Sequence, residues 1–255
     1  MDKMKVKGKG PKKGKIQPST KKRNYPKKKP IYDAASTPKP ESVSDTSHKT
    51  ELNLPAGRTE LKAGALLCPL PAVMVTVGDM ECSNIITIGW CGILSTDPAR
   101  AYISVRPSRY SHKLLKQNGE FVINLTTADL AEATDFAGIY TGAKVDKFEA
   151  LSLTRVKSKR VAPPTVAESP LSLECRVFQV IESGTHDIFM ADILSVSCSE
   201  KILDGGRIAL DKAGLLTYAH GEYFAVGEKL GKFGFSTNKE KRASRRKQNS
   251  KKRDK

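Results

Sequence analysis

The 255-residue chain is predicted to fold as a mainly β protein, a barrel decorated by a few short helices and flanked by two disordered basic tails. Three observations predict it. From residue 60 onward, short runs rich in β-branched residues alternate with dense Gly, Pro, Asp and Ser punctuation. Helical periodicity is confined to two stretches. The net charge of +17 is gathered at the two ends. Residues 1–50 hold fifteen basic against four acidic side chains and residues 229–255 hold twelve against two, leaving residues 51–228 at −4.

The first 53 residues are Lys, Pro, Gly, Ser and Thr with almost no large apolar side chain. They bury too little surface to offset the entropy of ordering, so residues 1–53 are expected to be a disordered tail. Residues 54–237 form the folded domain and 238–255 a second basic tail. GKGPKKGK at Gly8–Lys15 imitates a phosphate loop, but Ile16 stands where the hydroxyl belongs and the glycine spacing is wrong. Two readings of the tails stand: solvated extensions, or non-specific attraction to RNA, DNA and other polyanions through counterion release. Tyr25 and Tyr32 are the only aromatics of the first tail, which argues against base-specific recognition.

Within the domain, Ala72–Asp79 is a β-branched strand ending in a Gly-Asp turn. Asn84–Leu94 is apolar on both faces, as a buried strand is, with Gly89 and Gly92 marking a bend or a close backbone approach. Ala101–Arg106 follows the Asp97-Pro98 turn, and Glu120–Leu125 is a further strand. Leu173–Glu182 and His186–Glu200 form a long hairpin about Ser183-Gly184. The helices are Ser111–Asn118, stopped by Gly119, and Thr127–Ile139, with its stripe at Leu130, Ala133 and Ala137. No repeat is present, and no G-x-G-x-x-G joins a strand to a helix.

Several classes drop out. The Lys-rich start has no apolar run behind it, as a secretory signal requires. Ala65–Val77, the longest apolar stretch, is too short to span a membrane and contains Pro69 and Pro71. The five cysteines include no C-x-x-C pair. A reduced, cytoplasmic protein without membrane attachment is expected. No H-x-x-x-H, G-x-S-x-G or His/carboxylate set supports a metal or hydrolytic centre. His186-Asp187 is not a dyad, because neighbours on a strand point to opposite faces.

The densest polar cluster is SVRPSRYSHK, Ser104–Lys113. Arg106 and Arg109 beside the opening of a helix suit a phosphate, since guanidinium forks and helix amides both favour anions; a solvated basic turn is the plainer alternative. Asn84, Thr87 and Trp90 recur every three residues and share a ligand only if the chain bends near Gly89. Trp90, the only tryptophan, fits a core, an interface or a stacking role.

The run NIITIGWCGILSTDPARAYISVRPSRYSHKLLKQNGEFVINL (Asn84–Leu125) resembles the flavin reductase-like, FMN-binding split-barrel family. VDKF (Val145–Phe148), SGTHDIFMADI (Ser183–Ile193) and LLTYAHGEYFAVGEKLGKFGFS (Leu215–Ser236) continue the likeness in the same order, over about residues 62–237. The resemblance implies a split β-barrel with Greek-key connections, a homodimer, and FMN bound at the subunit interface. It implies that Asn84, Thr87 and Trp90 line the flavin ring, with Ser95, Thr96 and Asp97 beside the ring and its ribityl chain. Arg106, Ser111, Arg109 and Tyr110 correspond to the phosphate segment, and Asn124, Tyr218 and His220 to further cofactor-binding positions. Lys147 and His186 correspond to residues near the ring edge, where they would serve the chemistry. Ala191-Asp192 departs from the family's frequent Gly-Glu. The implied function is an NAD(P)H-dependent flavin or ferric reductase that delivers electrons to free flavin, ferric iron or a redox partner. An FMN electron carrier that does not use nicotinamide, and an RNA- or anion-associated protein acting through its tails, are the alternatives.

Overall fold

The computed structural model describes residues 57–237; the basic tails expected at 1–53 and 238–255 lie outside the described residues. The chain divides into two compact units at Ala225/Val226. Residues 226–237 of the second are irregular up to a 3-10 turn at Phe235–Thr237.

In the first unit, β1 (Leu70–Pro71), β2 (Val73–Val77), β3 (Asn84–Ile88), β4 (Cys91–Thr96) and β5 (Ala99–Val105) precede helix α1 (Tyr110–Asn118). β6 (Glu120–Leu125) leads through a 3-10 turn into α2 (Ala131–Ile139) and the one-turn α3 (Lys147–Ala150). β7 (Arg155–Val156), β8 (Thr165–Val166), β9 (Leu171–Ser183) and β10 (His186–Cys198) follow. β11 (Leu203–Asp204), β12 (Arg207–Ile208), β13 (Leu216–Ala219) and β14 (Glu222–Ala225) close the unit.

Seven strands form one antiparallel sheet in the order β3-β2-β6-β9-β10-β5-β4. Its two outer strands, β3 and β4, are consecutive in the chain and separated by Gly89 and Trp90. A flat sheet of seven strands would hold its edges about 29 Å apart at the usual spacing. The link from Ile88 to Cys91 reaches at most about 11 Å. The sheet therefore curls into a barrel, split between β3 and β4. A hydrogen bond from Ser104 N to Trp90 O (2.9 Å) fixes the link against β5. The single strand expected over Asn84–Leu94 is thus two, because the bend at Gly89 sends its halves to opposite edges. Gly92 is where the backbone is approached closely: a Cβ there would lie 2.9 Å from the Tyr102 ring.

The barrel interior is filled from several strands by Val75, Ile103, Phe121, Phe189 and their neighbours. A second apolar layer of Met74, Ile85, Ala137 and Phe148 lies under α2 and α3. β2 and β3 are covered on both sides, which explains their unbroken apolar runs. Gly119 ends α1 in the left-handed region, φ 63. In α2 the buried positions are Thr134 and Ala137, so Thr134 takes the place expected for Ala133 and returns its hydroxyl to Leu130 O at 2.7 Å. On β10 a register shift between Ile193 and Ser195 leaves Leu194 and Val196 on the outside, 36% and 52% exposed, as a bulge does. Asp187 is buried and His186 is not, in keeping with their opposite faces. Among the described residues no helix is long and apolar enough to cross a membrane.

Candidate active site

Two cavities meet beside the β3–β4 split. The larger, about 270 Å³, is lined by Thr87, Trp90, Arg106, His186, Tyr218 and Tyr223 among others. Trp90 reaches it because the β3–β4 link turns it outward, and it stays 40% exposed. His186 opens β10 directly after the hairpin turn, and its ring centroid lies 4.6 Å from that of Trp90. Tyr218 and Tyr223 face each other across β13 and β14, ring centroids 5.2 Å apart and edge to face. The Thr87 hydroxyl donates to Thr134 O of α2. Four aromatic rings thus stand among the aliphatic side chains that wall this cavity, which suits a flat conjugated ligand.

The smaller cavity, about 90 Å³, is lined by Asn84, Ser108, Tyr110, Ser111, Thr141 and Lys147. Ile86, Arg109 and Gly138 border both, and Arg109 Nη1 donates to Gly138 O at 3.0 Å. The first turn of α1 has no side-chain cap and no acidic residue, so its positive dipole end is available to an anion. Asn84, 3% exposed, donates from Nδ2 to Ser111 Oγ at 2.7 Å. Its Oδ1 is buried without a hydrogen-bond donor, a costly state that a donor on a ligand relieves. Gly142 makes room for it: a Cβ at this position would lie 2.1 Å from that oxygen.

Lys147 enters the small cavity from α3, whose first turn is capped by Asp146. Its ammonium donates to Ile85 O and Ala137 O, both at 2.6 Å. Burial and the Arg109 guanidinium pull its pKa down to about 7. His186 titrates below its ordinary range, because of burial and then Arg106, and is neutral at pH 7. Burial and neighbouring Asp135 push the Tyr223 phenol up to about 12. The pair of cavities thus joins an aromatic slot to a pocket of cations, hydroxyls and helix amides.

Residues 65–227 match the flavin reductase-like domain family. The chain belongs to that family. Flavoredoxin of Desulfovibrio vulgaris (Miyazaki F) is 32% identical, over 71% of this chain and 100% of that one, with a TM-score of 0.66. An FMN-binding protein from Thermus thermophilus is 25% identical over 70% and 99%, with a TM-score of 0.60. An NADH-dependent FMN reductase of Streptomyces nodosus subsp. asukaensis is 25% identical over 60% and 82%.

The flavin reductase-like fold places Thr87, Trp90, Arg106, Arg109, His186 and Tyr218 on the large cavity, and Asn84, Arg109, Tyr110, Ser111 and Lys147 on the small one. Other expected positions are sorted differently by the structure. Lys147 and His186, both expected near the ring edge, line different cavities, because α3 packs behind β3 whereas β10 lies across the barrel. Asn84 lies with Ser111 and not with Thr87 and Trp90, since it begins β3 whereas they sit toward its far end and on the β3–β4 link. Arg106 lines the aromatic cavity, apart from Ser111. Asn124 lines neither: it is fully buried and bound to Met74 O, Val166 N and Ser172 Oγ, bracing the barrel wall.

His220 also lies outside both cavities, at the exposed tip of the β13–β14 turn with φ 50. Ser95, Thr96 and Asp97 sit on the β4–β5 hairpin away from both, with the Ser95 hydroxyl donating to Pro98 O. The departure at Ala191-Asp192 touches neither cavity: Ala191 is core, and Asp192 pairs with Arg100 at 2.8 Å. Sequence reasoning missed Tyr223, although the segment Leu215–Ser236 that carries the resemblance contains it. Gly142 was missed because its partner Asn84 is 58 positions away.

Proposed function

We propose that this flavin reductase-like protein holds FMN across the two joined cavities and passes electrons from NADH or NADPH to an acceptor. Free flavin, a ferric complex and a redox protein are the acceptor classes that suit a flavin of this kind. The observation that carries the reading is the orphaned Asn84 Oδ1 between an aromatic slot and a cationic pocket. A ligand suited to all three features is flat and conjugated at one end, carries a hydroxyl that donates to Asn84, and ends in an anion. FMN has each of these parts. The 90 Å³ of the small cavity suits a phosphate group better than a second nucleotide.

Trp90, His186, Tyr218 and Tyr223 would bound the ring, and Arg109, Ser111, Lys147 and the α1 amides would hold the phosphate. When bound, FMN supplies hydride and electron transfer, for which this chain has no side chain of its own. Arg106 gives the aromatic cavity positive charge, and neutral His186 offers one ring N–H; both favour negative charge developing on a bound ring. Exposed Ile93 on β4 and Leu194 and Val196 on β10 support a homodimer, in which the β4–β5 hairpin with Ser95, Thr96 and Asp97 would serve the partner's site.

An absorption spectrum of the purified protein tests the reading. A yellow sample that releases FMN on boiling, and is bleached anaerobically by NADH or NADPH, is expected. Bleaching by dithionite but by neither nicotinamide favours an electron carrier instead, the reading to which the 32% identical flavoredoxin lends weight. Release of FAD without FMN, or a colourless protein that takes up no added FMN, overturns the cofactor assignment.

A further inference from the structure

One buried charge cluster plays no part in either cavity. Asp187 of β10 is 6% exposed, and its Oδ2 accepts from His112 Nε2 at 2.7 Å and lies 3.3 Å from Lys116 Nζ. His112 and Lys116 are four residues apart, on one face of α1. The His112 ring also meets Phe189 edge to face at 5.5 Å. Asp187 follows His186 in the chain, and its register partner on β5 is Val105, next to Arg106.

We infer that the Asp187–His112–Lys116 cluster is a positioning clamp that sets the rotation of α1, and through it the aim of the phosphate pocket. The inference rests on the FMN reading above. The apolar contacts that seat α1 run through Leu114 and Leu115, and the hydrophobic term in them is non-directional. A charge-assisted hydrogen bond is directional, and the one from His112 to Asp187, with the Lys116–Asp187 ion pair one turn further on, fixes that angle. A rotation of about 20° would move a side-chain tip about 6 Å from the axis by roughly 2 Å. That is enough to take Ser111 off Asn84 and Arg109 off the pocket. The neighbouring His186 lies on the opposite face of β10, so the aromatic cavity depends far less on the clamp.

FMN and riboflavin, which differ by the phosphate, separate positioning from mere stability. Asp187→Leu, nearly isosteric, is expected to weaken FMN about tenfold and riboflavin less than twofold, because only phosphate contacts lose their aim. His112→Gln keeps an N–H donor toward Asp187 and should retain the preference for FMN. If Asp187→Leu does not fold, His112→Leu is read in its place with the same expectation. Equal losses for the two flavins, or no loss for either, overturn the clamp. A wild-type protein that binds both flavins equally overturns the phosphate reading itself, which is a separate result.

Discussion

The two cavities are built on opposite physical terms. The large one is an open slot of aromatic faces on strand ends and a hairpin, with Trp90 40% exposed; it recognises shape and conjugation by contact. The small one is closed by helix ends and holds a 3% exposed asparagine and a 3% exposed lysine; it recognises charge and hydrogen bonding where water is scarce. Contact energy in the first is spread over many weak pairs, whereas in the second a few groups carry the affinity and titrate. Single substitutions should therefore divide sharply between the two.

The sharpest division is expected at Lys147. Lys147→Met removes a charge-assisted contact worth about 1.5–3 kcal/mol. FMN should weaken ten- to hundredfold and riboflavin hardly at all, as read by fluorescence titration. Equal effects on the two flavins would erase the distinction between the cavities.

The pH dependence sharpens it further. With its pKa at about 7, Lys147 loses its proton just where a phosphate needs a cation. FMN affinity should fall as pH rises from 7 to 9, by up to tenfold per unit, while riboflavin affinity stays flat. Fold stability responds with the opposite sign. Between the folded pKa near 7 and the ordinary 10.5, the unfolded chain binds a proton on this lysine that the folded chain does not, so this contribution to stability grows with pH. Both trends should vanish in Lys147→Met, with denaturant melts reporting the second.

Arg106→Ala probes the aromatic side. The exposed guanidinium lines the large cavity only, so both flavins should weaken together by roughly three- to tenfold. A loss confined to FMN would return Arg106 to the phosphate.

Trimming the chain to residues 54–238 should change least. The flavin affinities and NAD(P)H turnover should stay within about twofold, since the cavities are lined by residues 70–223. Salt-sensitive retention on heparin should disappear with the tails. A large drop in turnover at unchanged flavin content would make the tails part of the active site.

Much of this was legible in the residues, and the remainder has a common cause. β6 was readable because Gly119 and the run EFVINL bound it locally, and α1 because its αL stop is written beside it. The bend at Gly89 was readable too, but its consequence was not: that β3 and β4 become opposite edges depends on strand pairings 46 to 92 positions apart. α3 is one turn long and leaves no periodicity to detect. Its Asp146 cap is the one local sign of it. The same holds for the sites. Residue types near the split were recognisable from the resemblance, whereas their sorting into two cavities depends on distant partners: Asn84 with Gly142, Lys147 with Ile85, His112 with Asp187.

The division of labour is tested most directly by titrating the wild-type protein, freed of flavin, with FMN and with riboflavin at pH 7. The account predicts that FMN binds ten- to a hundredfold more tightly and that both flavins quench the single tryptophan, Trp90, to the same extent at saturation. Equal affinities, or quenching by one flavin alone, would contradict it.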